Sequence, residues 1–522
     1  MHLFFQKTKT IHPIHKMSKV LNGKGNGNGH AQSLLRHVEK KAARHKVAAL
    51  PHAIKESGVT FQTAEGVELR GMLSRVTRHT VVFELYNPGV TLRLSEVLAG
   101  FEIIFQERTV YSGRATMRNA VDAGSKVVCE ATLKEEDWTD LNLVLSPESA
   151  GGVAKEFKIF LKEWQKLYKV LPEFKVVIAD MQTFLYDLRL WLEQMALEIE
   201  SLPAKERLEW EREKASQLGM AIVPAIRGFF ENFEEVSNRL DSDFVAAHHV
   251  FGKRMIHPLL LGSPFVRRTL YKPLGYAGDY EMVNMMFGDP FQGESLFAKM
   301  INLYALQLPP IVAHRNRIQY LTEKLKKESL RVMRKLKDAR VFSMGCGPAQ
   351  EVQRFLAEDE LANYTHFTLV DFNEETLDHT VRVLNDLKKR HQRRTQIQTI
   401  KRSVYQIIKE FERVGEYPRS EQYDLIYCAG LFDYLSDQVC RQLVEIFYAM
   451  LLPGGLLIVT NVDEHPAKNQ MECFLEWHLI HRSEDKMRKI APRKAISQNI
   501  SIKRDPTGVN LFMEVRKPDD EE

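Results

Sequence analysis

Val341–Pro348, reading VFSMGCGP, constrains this chain more than any other stretch. A short apolar run (Val341, Phe342, Met344) breaks at Gly345-Cys346-Gly347-Pro348, and a second run, Phe367-Thr368-Leu369-Val370, ends on Asp371. Strand, glycine turn, helix, strand and acid, in that order, place a nucleotide-like ligand over a parallel sheet. Glycine at 345 and 347 tolerates the positive φ of such a turn and lets the backbone approach the ligand. Asp371, closing the second strand, can accept both hydroxyls of a ribose. A dinucleotide fingerprint needs a third glycine where this chain has Gln350, which argues against a dehydrogenase. Farther on, Tyr423–Cys428 reads as a fourth strand, followed by Ala429–Leu435, a helix over Gln438–Met450, the turn Leu451-Leu452-Pro453-Gly454-Gly455 and a fifth strand, Leu456–Thr460.

In this order and at these spacings, the three motifs resemble the class I S-adenosylmethionine-dependent methyltransferases. The glycine turn matches their first motif, Asp371 their second-strand acid, and Leu451–Gly455 the turn before their fifth strand. The resemblance implies an α/β, Rossmann-like domain with S-adenosyl-L-methionine as cofactor. It assigns the cofactor to Gly345, Cys346, Gly347, Asp371, Phe372, Ser403, Val404, Cys428 and Gly430. One departure stands out. Many members carry an acid after the third strand that touches the adenine amino group; here that segment reads Thr399-Ile400-Lys401-Arg402-Ser403-Val404, leaving the contact to Ser403.

A chain of 522 residues is too long for one core. Residues 1–50 are expected to be a flexible basic tail: Glu39 is its only acid, and Asn22–Ala31 (NGKGNGNGHA) offers nothing to bury. A solvated tail is favoured there over a nucleic-acid-binding one. The net charge of +5 therefore says little about the folded body. Residues 55–148 read as a small β-barrel of short β-branched and aromatic strands. That region resembles PilZ-type barrels, which in many bacteria bind cyclic di-GMP through an RxxxR segment and a D/NxSxxG turn. Arg75 and Arg78 have the wrong spacing, Arg114 and Arg118 the right spacing in the wrong place, and Asn87-Pro88-Gly89 is a fragment. A structural or partner-docking barrel is preferred, with cyclic di-GMP as the alternative. Residues 150–330 show helical stripes, such as Phe157, Phe160, Leu161, Trp164, Leu167 and Tyr168, and Met181, Leu185, Leu188, Leu192 and Met195. This helical region is expected to hold a lid over the cofactor, ahead of the methyltransferase domain at 331–522. A final strand pair, Asn499–Ile502 and Val509–Val515, would cap the sheet edge. The five cysteines (Cys129, Cys346, Cys428, Cys440, Cys473) form no CxxC, a reduced, cytoplasmic pattern. No apolar run reaches the roughly 18 residues a transmembrane span needs.

On the acceptor side, Tyr271–Met282 (YKPLGYAGDYEM) is unusually rich in glycine and tyrosine. Tyr276 and Tyr280 would share a face if it is helical, and a buried helix connection explains them equally well. Arg315 or Arg317 can bind a carboxylate bidentately; a solvated helix face explains both nearly as well. His465, after the fifth strand, is a candidate for proton handling beside the plainer reading of a loop histidine. Asp433 and Tyr434 can line the acceptor pocket, or Asp433 can cap the next helix. Tyr276, Asp433, Tyr434 and His465 are thus the candidate catalytic residues. His478 and His481 lack a third ligand, so no metal is expected. The fourth-strand exit, Cys428-Ala429-Gly430-Leu431, lacks the Asn/Asp-Pro-Pro-aromatic element that grips planar amino groups, which speaks against nucleic-acid bases as acceptors.

The YKPLGYAGDYEM segment, the AGLFDYL turn and the expected helix MECFLEWHLIHR resemble a narrower bacterial family identified with synthesis of 3-hydroxypalmitic acid methyl ester, a diffusible quorum-sensing signal. That resemblance, over about residues 250–517, implies a fatty-acyl, lipid-like carboxylate as small-molecule acceptor. A carboxylate is ionised at neutral pH and needs no general base. A methyltransferase for another small molecule and a non-catalytic sensing or partner-binding protein are the competing readings.

Overall fold

The structure, a computed structural model, describes residues 58–86, 91–105, 108–122, 126–138, 170–200, 203–241, 244–415 and 418–519. The basic tail, the Asn87-Pro88-Gly89 turn and the stripe from Phe157 to Tyr168 lie outside them. Residues Glu56–Glu522 form one compact unit.

Six antiparallel strands close into a barrel: β1 (Gly58–Gln62), β2 (Glu68–Val76), β3 (Thr80–Tyr86), β4 (Val97–Phe105), β5 (Arg108–Asp122) and β6 (Lys126–Leu133), in the order β1-β2-β3-β6-β5-β4. Alternation drives closure: Val59 and Phe61 on β1, and Val81, Phe83 and Leu85 on β3, all point inward. The Phe61, Phe83 and Phe101 rings meet at 5.4–5.7 Å and fill the lumen. Strand hydrogen bonding consumes the edges, so the barrel has none to protect.

Two long helices, α1 (Pro172–Glu200) and α2 (Ala204–Ser237), then pack against each other, with Phe184 stacked on Phe229 at 4.4 Å. Met181, Leu185 and Leu192 of the expected α1 stripe are buried in this core. Shorter helices follow: α3 (Val245–Leu260), α4 (Pro264–Tyr271), α5 (Tyr280–Phe287) and α6 (Leu296–Leu306), then the 25-residue α7 (Pro309–Met333). Among the described residues, no single helix is long and apolar enough to cross a membrane. The bent pair α6–α7 passes by length and composition, but α6 is buried almost throughout.

The last part is a seven-stranded sheet flanked by helices. Its strands are β7 (Ala339–Met344), β8 (Thr365–Asp371), β9 (Gln396–Lys401), β10 (Tyr423–Cys428), β11 (Leu451–Val462), β12 (Ile500–Arg504) and β13 (Asn510–Arg516), in the order β12-β13-β11-β10-β7-β8-β9. From β9 through β11 all pairs are parallel; β13 runs antiparallel to both β11 and β12. The interposed helices are α8 (Gln350–Glu358), α9 (Glu374–Arg390), α10 (Val404–Val414) and α11 (Asp437–Ala449); α12 (Lys468–Phe474) and α13 (Glu484–Lys489) follow β11. The chain leaves β7 toward β8 and β9, then returns to place β10 on the other side of β7. Ligands of open α/β sheets bind outside the carboxyl ends of strands at such a reversal.

Three expectations are corrected here. The turn Leu451–Gly455 is the irregular start of β11 rather than a separate loop: its pairing with β10 shifts register between Tyr423 and Leu425. Asp433 does not cap α11; the Ser436 hydroxyl does, accepting from the Val439 amide. The helix expected over Met471–Arg482 ends at Phe474, because Glu476 takes φ 48 and the chain beyond runs irregularly.

Candidate functional site

The turn after β7 is built on left-handed residues: Gly345, Gly347 and Ala349 have φ of 66, 51 and 50. The Gly345 and Cys346 amides donate to the Val370 carbonyl at 2.8 and 3.0 Å, tying the turn to β8. A side chain at Gly347 would meet nothing within 4 Å, so the turn faces open space. At the end of β8, the Asp371 carboxylate accepts from the Gly347 amide at 3.1 Å and the Asn373 amide at 3.0 Å. Burial raises its pKa, against the pull of those amides. Phe372, next in sequence, is held edge-on by the Tyr276 ring at 4.9 Å; the Tyr276 hydroxyl pairs with Thr376 at 3.2 Å.

Gly345–Gly347, Ala349, Asp371, Phe372 and Tyr276 line one pocket at the carboxyl ends of β7, β8 and β10. Its roof is the segment Tyr276–Tyr280, pinned by Asp279, which caps α5 and accepts from Arg268 at 2.9 Å. Gly278 (φ 78) crosses close over Tyr434: a Cβ there would lie 3.1 Å from the Tyr434 hydroxyl. That hydroxyl accepts from the Trp477 indole at 2.9 Å. The apolar wall includes Met282, Val283, Pro310, Ile318, Trp477 and Leu479.

Arg317 on α7 is the charged feature of that wall. It is 7% exposed, and its Nε–H has no partner among the described residues. One guanidinium nitrogen lies 2.8 Å from His314 Nδ1, and another is 4.0 Å from Asp433 Oδ2. The pairing with Asp433 is loose. Burial raises Asp433 to about 6 despite Arg317, and lowers Arg317 despite Asp433, so desolvation outweighs attraction on both sides. Asp433 is held instead by the Val462 amide, at 2.7 Å. Burial and the neighbouring Arg317 keep His314 neutral. The guanidinium lies against Gly430 (φ 88), where a Cβ would fall 2.7 Å from its Nη2.

Of the residues singled out from sequence, Gly345, Cys346, Gly347, Asp371, Phe372, Gly430, Tyr276, Asp433 and Tyr434 line this pocket, as does Arg317. Ser403, Val404, Cys428 and His465 do not. Ser403 caps α10 in a reciprocal capping box with Gln406, Val404 is core, and Cys428 is a buried strand end. His465 lies outside the pocket: burial holds it neutral, with a pKa of about 3, and its Nδ1 accepts from the Ala467 amide. Among the described residues, no group of three or more His, Cys, Asp or Glu is placed to hold a metal. Arg114 of the barrel donates to the Tyr271 carbonyl and Arg118 lies 3.6 Å from Glu130. Sequence reasoning missed Arg93 and Leu94, which reach the pocket from the barrel; nothing local marks a residue nearly three hundred positions from Asp371.

Residues 342–457 match a family model described as a methyltransferase domain. The chain thus carries a methyltransferase domain with the strand order and glycine turn of the class I fold. The residues present fit S-adenosylmethionine as donor: open space at Gly347, an acid anchored by two amides beside it, and buried guanidinium N–H groups in the wall that lack a partner among the described residues. No curated protein matches the chain. Among solved structures, it is similar to a possible exported protein from Bordetella parapertussis, at 18% identity, TM-score 0.37, covering 48% of this chain and 86% of that one. It is also similar to magnesium protoporphyrin IX methyltransferase from Synechocystis PCC 6803 (11%, TM-score 0.32, covering 48% and 98%). A third is the N-methyltransferase NodS from Bradyrhizobium japonicum (14%, TM-score 0.25, covering 38% and 96%).

Proposed function

We propose that this methyltransferase esterifies the carboxylate of a fatty-acyl or other small apolar acid, releasing a methyl ester that serves as a diffusible signal. The observation that carries the reading is Arg317: a buried guanidinium in the pocket wall, only loosely paired with Asp433, whose Nε–H has no partner among the described residues. Burying that charge without a full partner is costly, and a carboxylate is the ligand its planar fork fits. When bound, S-adenosylmethionine supplies a methyl group already activated by the positive charge of its sulfur. Gly345–Gly347 and Asp371 would hold it. Arg317 orients the acceptor oxygen, and alignment of this kind is worth roughly 7–11 kcal/mol. Tyr276–Tyr280, closed on Tyr434 and Trp477, keeps water out. No proton has to leave an ionised carboxylate, which suits a pocket whose histidine, His314, is held neutral and far below its usual pKa. Five unpaired, buried cysteines support a reduced, cytoplasmic setting.

The test is transfer of labelled methyl from S-adenosylmethionine to long-chain 3-hydroxy acids and lipid extracts. Label is expected in base-labile ester, absent with Asp371→Ala. Label in base-stable product would assign another acceptor. No transfer by protein that still binds the donor would leave a sensing role and overturn the reading.

A further inference from the structure

The barrel is physically part of the pocket. Arg93, in the loop before β4, places its guanidinium carbon 3.8 Å from the centroid of the Phe372 ring. Phe372 directly follows Asp371, so this contact sits at the end of the pocket where a ribose would be held. Arg93 is fixed from behind. Its Nη2 donates to Glu65 at 3.0 Å, and its backbone amide donates to Glu96, which also accepts from the Ala64 amide at 2.7 Å. Burial raises the Glu65 carboxyl, against the pull of Arg93 and of the Ser403 hydroxyl at the exit of β9, where the chain itself supplies no acid. Two barrel loops are thereby clamped onto the ends of β8 and β9.

Arg93 is only 6% exposed, yet its Nε–H has no partner among the described residues. A guanidinium this buried normally satisfies its donors, so an unpaired one lining a pocket points to a ligand atom. Its flat face already packs on an aromatic ring, the arrangement in which a guanidinium also contacts a planar base. We propose that Arg93 is a binding residue for the purine nucleoside of the donor, so that barrel and sheet share one cofactor site. The assignment rests on reading the pocket as the donor site.

The experiment is calorimetric titration of the full chain with S-adenosylhomocysteine and with adenosine, for wild type, Arg93→Met and Arg93→Lys. Loss of one such contact weakens binding by about tenfold. That loss is expected for both ligands with Arg93→Met, while the acceptor KM stays unchanged. Lysine keeps the charge beside Glu65 and the thermal midpoint but not the planar contact, so its affinity is expected to stay well below wild type. If Arg93→Met fails to fold, the lysine variant decides. Wild-type affinity in a folded variant, or full rescue by lysine, overturns the assignment. A wild-type chain that binds neither ligand would instead sink the donor reading beneath it.

Discussion

At the scale of single residues, the site depends on backbone that only glycine adopts easily. Gly430 shows this most sharply, because its φ of 88 and the Arg317 guanidinium 2.7 Å from its absent Cβ act together. A left-handed non-glycine residue costs about 1–2 kcal/mol before any clash. Gly430→Ala is therefore expected to lower the melting temperature by a few degrees and to push Arg317 out of place. The kinetic signature should be an acceptor KM raised about tenfold with donor affinity within twofold, read by labelled-methyl kinetics and calorimetry. Arg317→Gln should reproduce that pattern with little loss of stability. An equal fall in donor affinity would assign Arg317 to the donor's own carboxylate instead. Gly345, Gly347 and Asp371 were legible in the sequence because a strand, a turn and an acid follow one another in a short, ordered span. His465 shows the converse: its position after β11 suggested chemistry, but its burial beside His481 and its bond from the Ala467 amide come from packing that no local pattern reveals.

At the scale of elements, the parallel strands could be read as apolar runs, since sheets covered on both faces show no alternation. What could not be read is how α7 is fastened so that Arg317 faces the pocket. The fastening is β13. Tyr320 stacks on Phe512 at 3.9 Å, Glu328 takes both terminal nitrogens of Arg516 at 2.6 and 2.7 Å, and Glu514 pairs with Lys324 of α7 and Lys503 of β12. Burial would raise the Glu514 carboxyl, but its bonds to Lys324, Lys503 and Tyr320 hold it at about 2. A depressed carboxyl contributes stability at pH values above its unfolded pKa of about 4.5 and loses it as pH falls toward 2. Glu514→Gln is expected to cost on the order of 2 kcal/mol at pH 7, after discounting for solvent screening. The gap from wild type should shrink as urea unfolding is repeated below about pH 4.5. A gap independent of pH would mean that packing, not charge, fastens the helix. The same limit explains the helix misread after Phe474. Glu476 is drawn out of helical geometry by Lys253 of α3 at 2.7 Å and Thr116 of the barrel at 3.2 Å, contacts more than two hundred and three hundred residues away in sequence.

At the scale of the whole molecule, the barrel and the methyltransferase sheet, which read as separate modules in sequence, share a buried polar seam. Sequence could predict each because each has its own strand pattern, alternating in the barrel and continuously apolar in the sheet; nothing in either pattern says that their surfaces meet. The Val97 amide donates to the Gly275 carbonyl at 2.6 Å, holding the barrel to the roof of the pocket. Ser95, fully buried, accepts from the His478 amide at 2.5 Å and donates back to the His478 carbonyl at 3.0 Å. His478 is itself buried and kept neutral, with a pKa of about 3, and its neighbour Trp477 lines the pocket. Ser95→Ala would leave an amide and a carbonyl unpaired in the interior, at a cost of about 1–3 kcal/mol for each group. Were the barrel an independent domain, calorimetry would split into two transitions, with only the barrel's shifted. Because the lost bonds tie barrel, roof and pocket wall into one unit, a single transition is expected to move down by several degrees without splitting. Saturating S-adenosylhomocysteine, bound only by the assembled pocket, should raise that same transition in both proteins. A separate barrel transition that ignores the ligand would show that the seam is contact without coupling.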